Sequence, residues 1–162
     1  MSGQRSRLAG GAGLIALLLA VAGPQAIGIH ARWGAFRADA PTRCYAISRP
    51  VAGRTGAPFA SVATWPGAGV RRQLHVRLSR VRSERARVVL AIGDRRFDLT
   101  AGRIDAWSPD AGTDRAIVAA MRGGRSMSIE SVAANGAPFV DVYALSGAAT
   151  AIDAAALACL QG

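Results

Sequence analysis

From Val70 to Ser79 the chain alternates, with Leu74, Val76 and Leu78 apolar and His75, Arg77 and Ser79 polar between them. A period of two places alternate side chains on opposite faces of an extended backbone, so this segment is predicted to be a half-buried strand. Arg87 to Ile92 repeats the pattern with Val88, Leu90 and Ile92 on one face, and Arg96 to Leu99 returns with Phe97 and Leu99 inward. Gly93-Asp94 between these two supplies a hairpin loop. A turn near Arg82-Ser83-Glu84 would join the first two strands as a hairpin, setting Val76 against Val88, Leu74 against Leu90, and Arg77 against Arg87 on the outer face.

Other segments carry weaker strand patterns. Phe59 to Trp65 is closed by Pro66-Gly67, Cys44 to Ser48 is a short strand candidate, and Arg103 to Trp107 ends at Ser108-Pro109. A leading segment from Ile27 to Arg49 holds Trp33-Gly34-Ala35-Phe36, and Pro50 to Pro58 reads as a loop. Asn135-Gly136 is the strongest hairpin signal, with arms Ser126 to Ala133 and Pro138 to Leu145. Counting back from a two-residue turn there puts Glu130 opposite Asp141.

Two helices complete the pattern. Asp110 or Thr113 can cap the first, Asp114 lies in its positive first turn, Ile117, Ala120 and Met121 form its apolar stripe, and Gly123-Gly124 ends it. The second runs from Ala148 to Leu160. Many short strands separated by turns predict a mainly β fold: an antiparallel β-sandwich or barrel-like sheet with one short internal helix and a C-terminal helix.

The first 22 residues read as an address. Arg5 and Arg7 precede an apolar run from Leu8 to Gly23, and Ala20-Val21-Ala22 offers a small-residue cleavage site. The run falls short of the ~20 residues that span a bilayer. The expectation is a signal peptide over 1–22, cleaved after Ala22, and a single mostly β domain over 23–162 that is periplasmic or secreted, with no membrane span after cleavage. Cys44 and Cys159 both fall in that mature part, and an even count in an oxidising compartment favours a disulfide between them.

Charge changes the picture further. The net charge is +10, and every basic residue other than histidine is arginine. Coding bias explains a global absence of lysine, while a surface that meets anions would use the bidentate guanidinium. Arg71, Arg72, Arg77, Arg80, Arg82, Arg85 and Arg87 cluster with Glu84 as the one acid among them. Arg77 opposite Arg87 calls for neutralisation, either by an anionic partner or internally by an acidic Glu130–Asp141 pair. Arg71, Arg77, His75 and Arg87 are the candidate contacts to a partner.

Enzymatic chemistry finds little support. The sequence lacks G-x-S-x-G, H-E-x-x-H and a phosphate loop, and its acidic residues are scattered. His75, on an outer strand face, is the one histidine that could serve as a base, since His30 lies in the leading segment. No cofactor and no metal are expected. Nucleic acid is not an expected partner either, because no ring interleaves with the basic stretch. Trp33, Trp65 and Trp107 are expected in the core.

Several pieces in order resemble the invasion-associated locus B family of exported bacterial proteins. They are the leading tryptophan segment, the strand Cys44-Tyr45-Ala46-Ile47-Ser48, then Ala116 to Gly124, Met127-Ser128-Ile129, and Asp141-Val142-Tyr143-Ala144-Leu145-Ser146-Gly147 followed by an alanine-rich helix ending at Cys159. The resemblance implies an all-β sandwich-like fold, a periplasmic or outer-surface location and no known catalytic residues. The expected function is a non-enzymatic exported protein that binds an envelope protein or an anionic surface polymer, with an unrecognised hydrolase or a purely structural protein as the alternatives.

Overall fold

The protein's structure, a computed structural model, describes residues 23–52 and 56–160. The ten strands of those residues are β1 (Gln25–His30), β2 (Trp33–Asp39), β3 (Thr42–Ser48), β4 (Phe59–Trp65), β5 (Val70–Arg77), β6 (Val88–Ile92), β7 (Arg95–Ala101), β8 (Asp105–Trp107), β9 (Ser126–Val132) and β10 (Pro138–Ala144). The helices are α1 (Ala111–Gly123) and α2 (Ala148–Ala158). The strands pair antiparallel in one sheet in the order β1-β2-β3-β4-β5-β8-β7-β6-β9-β10. It is sandwich-like and not closed into a barrel.

One face of this sheet makes the core. Ala35, Ala46, Val62 and Leu74 follow one another across β2 to β5, and Phe97, Leu90, Ile129 and Asp141 do so across β7, β6, β9 and β10. Both rows belong to one core cluster, except that Asp141 is its buried charge and Phe97 its half-buried flank. The two ends of the sheet approach each other. Val51 donates its N–H to the Val142 carbonyl at 2.7 Å, and Trp33 Nε1 donates to the Ala144 carbonyl at 2.9 Å. α2 lies across β1 to β4, and α1 packs on β5 and β7. Asp110 caps α1 by accepting the Thr113 N–H at 2.8 Å.

The hairpin expected across Arg82 does not form. β5 pairs with β4 and β8, and β6 pairs with β7 and β9, so Arg77 faces Phe59 and Asp105 and never Arg87. Ser79 to Arg87 is instead a crossing between the two halves of the sheet. Arg82 fastens it: its guanidinium donates to the carbonyls of Gly102, Ser83, Glu84, Ala86 and Ala101 at 2.6–2.9 Å. A side chain with five N–H donors and no acceptor suits a loop whose carbonyls lack strand partners.

The β9–β10 hairpin forms, but one residue out of the expected register. Gly136 donates its N–H to the Ala133 carbonyl and has φ +84°, so a three-residue loop with a left-handed glycine replaces the two-residue turn. That single-residue slip sets Glu130 against Val140 and Asp141 against Ile129. It sends Asp141 into the core and leaves Glu130 half-buried, where Arg96 holds it at 3.1 Å. The leading segment holds most of β1 and all of β2 and β3, and His30 pairs with Trp33. Of the three tryptophans Trp33 alone is fully buried; Trp65 and Trp107 are half-buried on the opposite face.

Candidate functional site

The structure distributes Arg71, His75, Arg77 and Arg87 over three surroundings. Arg87 precedes β6 and ion-pairs with Asp98 on β7. His75 and Arg77 lie on the outer face, because alternation along β5 sends Leu74 and Val76 inward. The His75 ring stacks on Trp107 with centroids 5.1 Å apart and planes at 6°, and meets the edge of Phe59 at 5.1 Å. Its Nε2 lies 2.9 Å from Asp105 Oδ1. Ser61 stands opposite His75, but its hydroxyl donates to the His75 carbonyl and not to the ring, so no nucleophile–base pair exists there.

More rings share this outer face. Phe36 stacks on Tyr45 at 5.7 Å, and the Arg43 guanidinium lies over both Tyr45 and Trp65 at 5.3 and 5.1 Å. No linear stretch of the sequence announces this interleaving of rings and arginines, because five strands, β2 to β5 and β8, contribute it.

Arg71 belongs to a groove on the other side. Between the pairs Ala63↔Gln73 and Trp65↔Val70, Thr64 on β4 is opposed by two residues, Arg71 and Arg72. This is a β-bulge, and a bulge breaks the alternation of side chains and re-aims them. Arg72 takes φ +53°, in the left-handed region that favours glycine, and its N–H bonds to Thr64 Oγ1 at 3.2 Å. As a result both arginines line a groove of about 800 Å³ between the bulge, α1 and α2.

Arg115 and Arg122, seven residues apart on one face of α1, complete a ring of four guanidiniums. The floor and far wall are apolar: Val70, Val118, Ala119, Ala156 and Leu160, with Cys159 at the base. Cys159 is joined to Cys44 by a disulfide, Cα–Cα 5.8 Å, which ties the end of α2 to β3. Asp153 is the acid beside the groove. Arg122 grips it with two bonds of 2.9 and 2.6 Å, Arg72 lies 3.7 Å away, and the Arg122 hydrogen bond above all holds its carboxyl below the usual range. Arg71 and Arg115 have no carboxylate within ion-pair distance among the described residues.

No family model matches the chain, and no curated protein matches it in sequence. A solved structure does: the crystal structure of invasion associated protein B from Bartonella henselae superposes with a TM-score of 0.62. The fold is similar to that of invasion associated protein B. The superposition covers 83% of this chain and 98% of that one at 14% sequence identity, so the likeness is one of fold. It agrees with the mainly β, sandwich-like fold that the locus B resemblance implied. Among the pieces that suggested that resemblance, Gly147 now has a physical reason. It starts α2 at φ +85°, and a Cβ there would fall 1.8 Å from the His30 carbonyl oxygen.

Two carboxylates are buried. Asp114, in the first turn of α1, accepts the Leu74 N–H at 2.8 Å, and Asp141 accepts the Ser79 N–H at 2.9 Å. Burial pushes both above the ordinary carboxylate range, against those hydrogen bonds. Each satisfies a backbone donor within or just after β5, which is structural work. Among the described residues no cluster of three or more His, Cys, Asp or Glu side chains could hold a metal ion. No helix among them is long and apolar enough to cross a membrane.

Proposed function

We propose that this chain is an exported, non-enzymatic protein of the cell envelope that works by binding an anionic component. The observation that carries the reading is the groove of Arg71, Arg72, Arg115 and Arg122, four guanidiniums of which Asp153 ion-pairs with two. Unlike an exposed charge run, it is concave and its cations converge from two elements, which permits several charge-assisted hydrogen bonds to one anion. The disulfide and the fold likeness to invasion associated protein B support an extracytoplasmic setting. His75 supports no hydrolase, since its ring is stacked on Trp107, meets the edge of Phe59 and lies outside the groove.

The test uses an immobilised carboxylated polysaccharide, polygalacturonate, and the mature chain from Gly23. Retention should fall steeply as salt rises. It should be lost in Arg71→Glu/Arg115→Glu, with the thermal unfolding midpoint of the variant unchanged. Retention that ignores both salt and this charge reversal would sink the reading. Arg77→Glu, on the outer face, separates the groove from the His75 surface: loss with that variant alone would move the contact there.

A further inference from the structure

We infer that the groove between α1 and α2 binds a single-chain amphipathic carboxylate, a molecule of the fatty-acid class, more tightly than a hydrated polyanion. The inference rests on the anion-binding reading above and specifies its ligand. Arg71 and Arg115 hold the carboxylate, and the chain lies along Val118, Ala156 and Leu160.

The charges favour this division. Arg122 and Arg72 are already engaged by Asp153, Arg122 closely and Arg72 loosely, whereas among the described residues Arg71 and Arg115 make no ion pair, and Asp110 and Asp114 act on Arg115 only from beyond that distance. A lone carboxylate matches two converging guanidinium forks by charge and by geometry.

The apolar wall is what selects an amphiphile. A hydrated polymer could bind solvated arginines anywhere on this surface and would leave the wall wet. Leu160 is 73% exposed beside the groove, and Val118 lies buried beneath it. An alkyl chain laid there removes apolar surface from water, which favours binding in proportion to the area covered. The volume of about 800 Å³ lies within the range of small-ligand sites.

The backbone adds an independent reason. Arg72 adopts a left-handed conformation that is unfavourable for a residue with a Cβ. The bulge it belongs to turns Arg71 and Arg72 together toward the groove. Strain of this kind collects where side-chain placement matters to binding.

The experiment titrates the disulfide-bonded mature chain with laurate, butyrate and dodecyl maltoside, read by calorimetry. Laurate should bind, with butyrate and the uncharged dodecyl maltoside each weaker by about tenfold or more. Arg71→Gln/Arg115→Gln should weaken laurate about tenfold. Ala156→Trp, which fills the groove and leaves every charge in place, should also abolish laurate binding. Butyrate binding as tightly as laurate, or a silent Ala156→Trp, overturns the amphiphile and leaves an anion site. A glutamate-rich peptide binding more tightly than laurate overturns it in favour of a protein partner. If neither laurate nor polygalacturonate binds, the anion reading falls with it.

Discussion

Asp141 on β10 and Ser79, two residues past the end of β5, are joined by a carboxylate–amide hydrogen bond of 2.9 Å that ties the two halves of the sheet across 62 residues. Asp141 is fully buried and burial raises its carboxyl above the ordinary range, so ionisation works against folding. The sign follows from linkage. A raised native value means its contribution to stability is complete below the unfolded-state value and is lost as pH rises through the native one. Asp141→Asn keeps a carbonyl for the Ser79 N–H and removes that loss. Urea unfolding from about pH 4 to pH 8 should show the variant equal to wild type in acid and more stable by about 1–2 kcal/mol at neutrality. The difference between the two curves cancels Asp153 and Glu130, whose lowered carboxyls weaken the fold in the opposite direction as pH falls. A variant less stable at neutral pH would mean that the charge itself is needed.

Arg82 looks like part of a basic patch and behaves as a scaffold. Its five donations to carbonyls hold the crossing between Leu78 and Val88. Arg82→Ala should cost about 2–4 kcal/mol in chemical unfolding, because several carbonyls lose their partner at once. Lysine cannot reproduce a planar fork, so Arg82→Lys should recover less than half of the loss. The exposed Arg85 nearby is the control, and its replacement by alanine should stay within about 0.5 kcal/mol.

The difference between what alternation reveals and what it hides runs through the fold. Leu74, Val76 and Leu78 announce their strand because one face is buried, and Asp110 with Gly123-Gly124 announces α1 because capping is local chemistry. Partner choice is not local. Nothing in Ser79 to Arg87 says that the chain crosses to another part of the sheet, since the carbonyls that Arg82 satisfies come partly from Ala101 and Gly102. Nor does Asn135-Gly136 distinguish a two-residue turn from a three-residue loop, and that one residue decides whether Asp141 or its neighbour is buried. The groove was half legible: the sequence shows Arg71 and Arg72 as cations, while Arg115 and Arg122 reach them only through helix packing.

Gly147 and Gly136 share a left-handed backbone, φ +85° and +84°, but not their surroundings. A Cβ on Gly136 meets open space, whereas one on Gly147 falls 1.8 Å from the His30 carbonyl oxygen. Gly136→Ala should therefore cost about 1 kcal/mol, the conformational term alone. Gly147→Ala must also push β1 away from the start of α2 and should cost about 3 kcal/mol or more. Equal losses in thermal unfolding would mean that the contact yields without resistance.

The Cys44–Cys159 bridge closes 115 residues and ties α2, one wall of the groove, to β3. Reduction should lower stability by about 2–4 kcal/mol. Protein recovered from the cell envelope should have an intact mass that begins at Gly23, with neither thiol alkylated until reductant is added. A full-length mass with two reactive thiols would overturn the export proposal.

Arg71 and Arg72 sit side by side in the bulge, yet glycine should be felt differently at each. Glycine ordinarily costs about 0.5–1 kcal/mol in a strand, and Arg71→Gly should show that loss. At Arg72 the left-handed backbone at φ +53° already favours glycine, so relief of strain should offset the loss and leave stability level or slightly raised. Binding should not follow stability: Arg72→Gly should weaken laurate even though the fold is no weaker, because a guanidinium is gone from the rim. If Arg72→Gly destabilises as much as Arg71→Gly, the bulge carries no strain, and the backbone argument for a built site loses its footing.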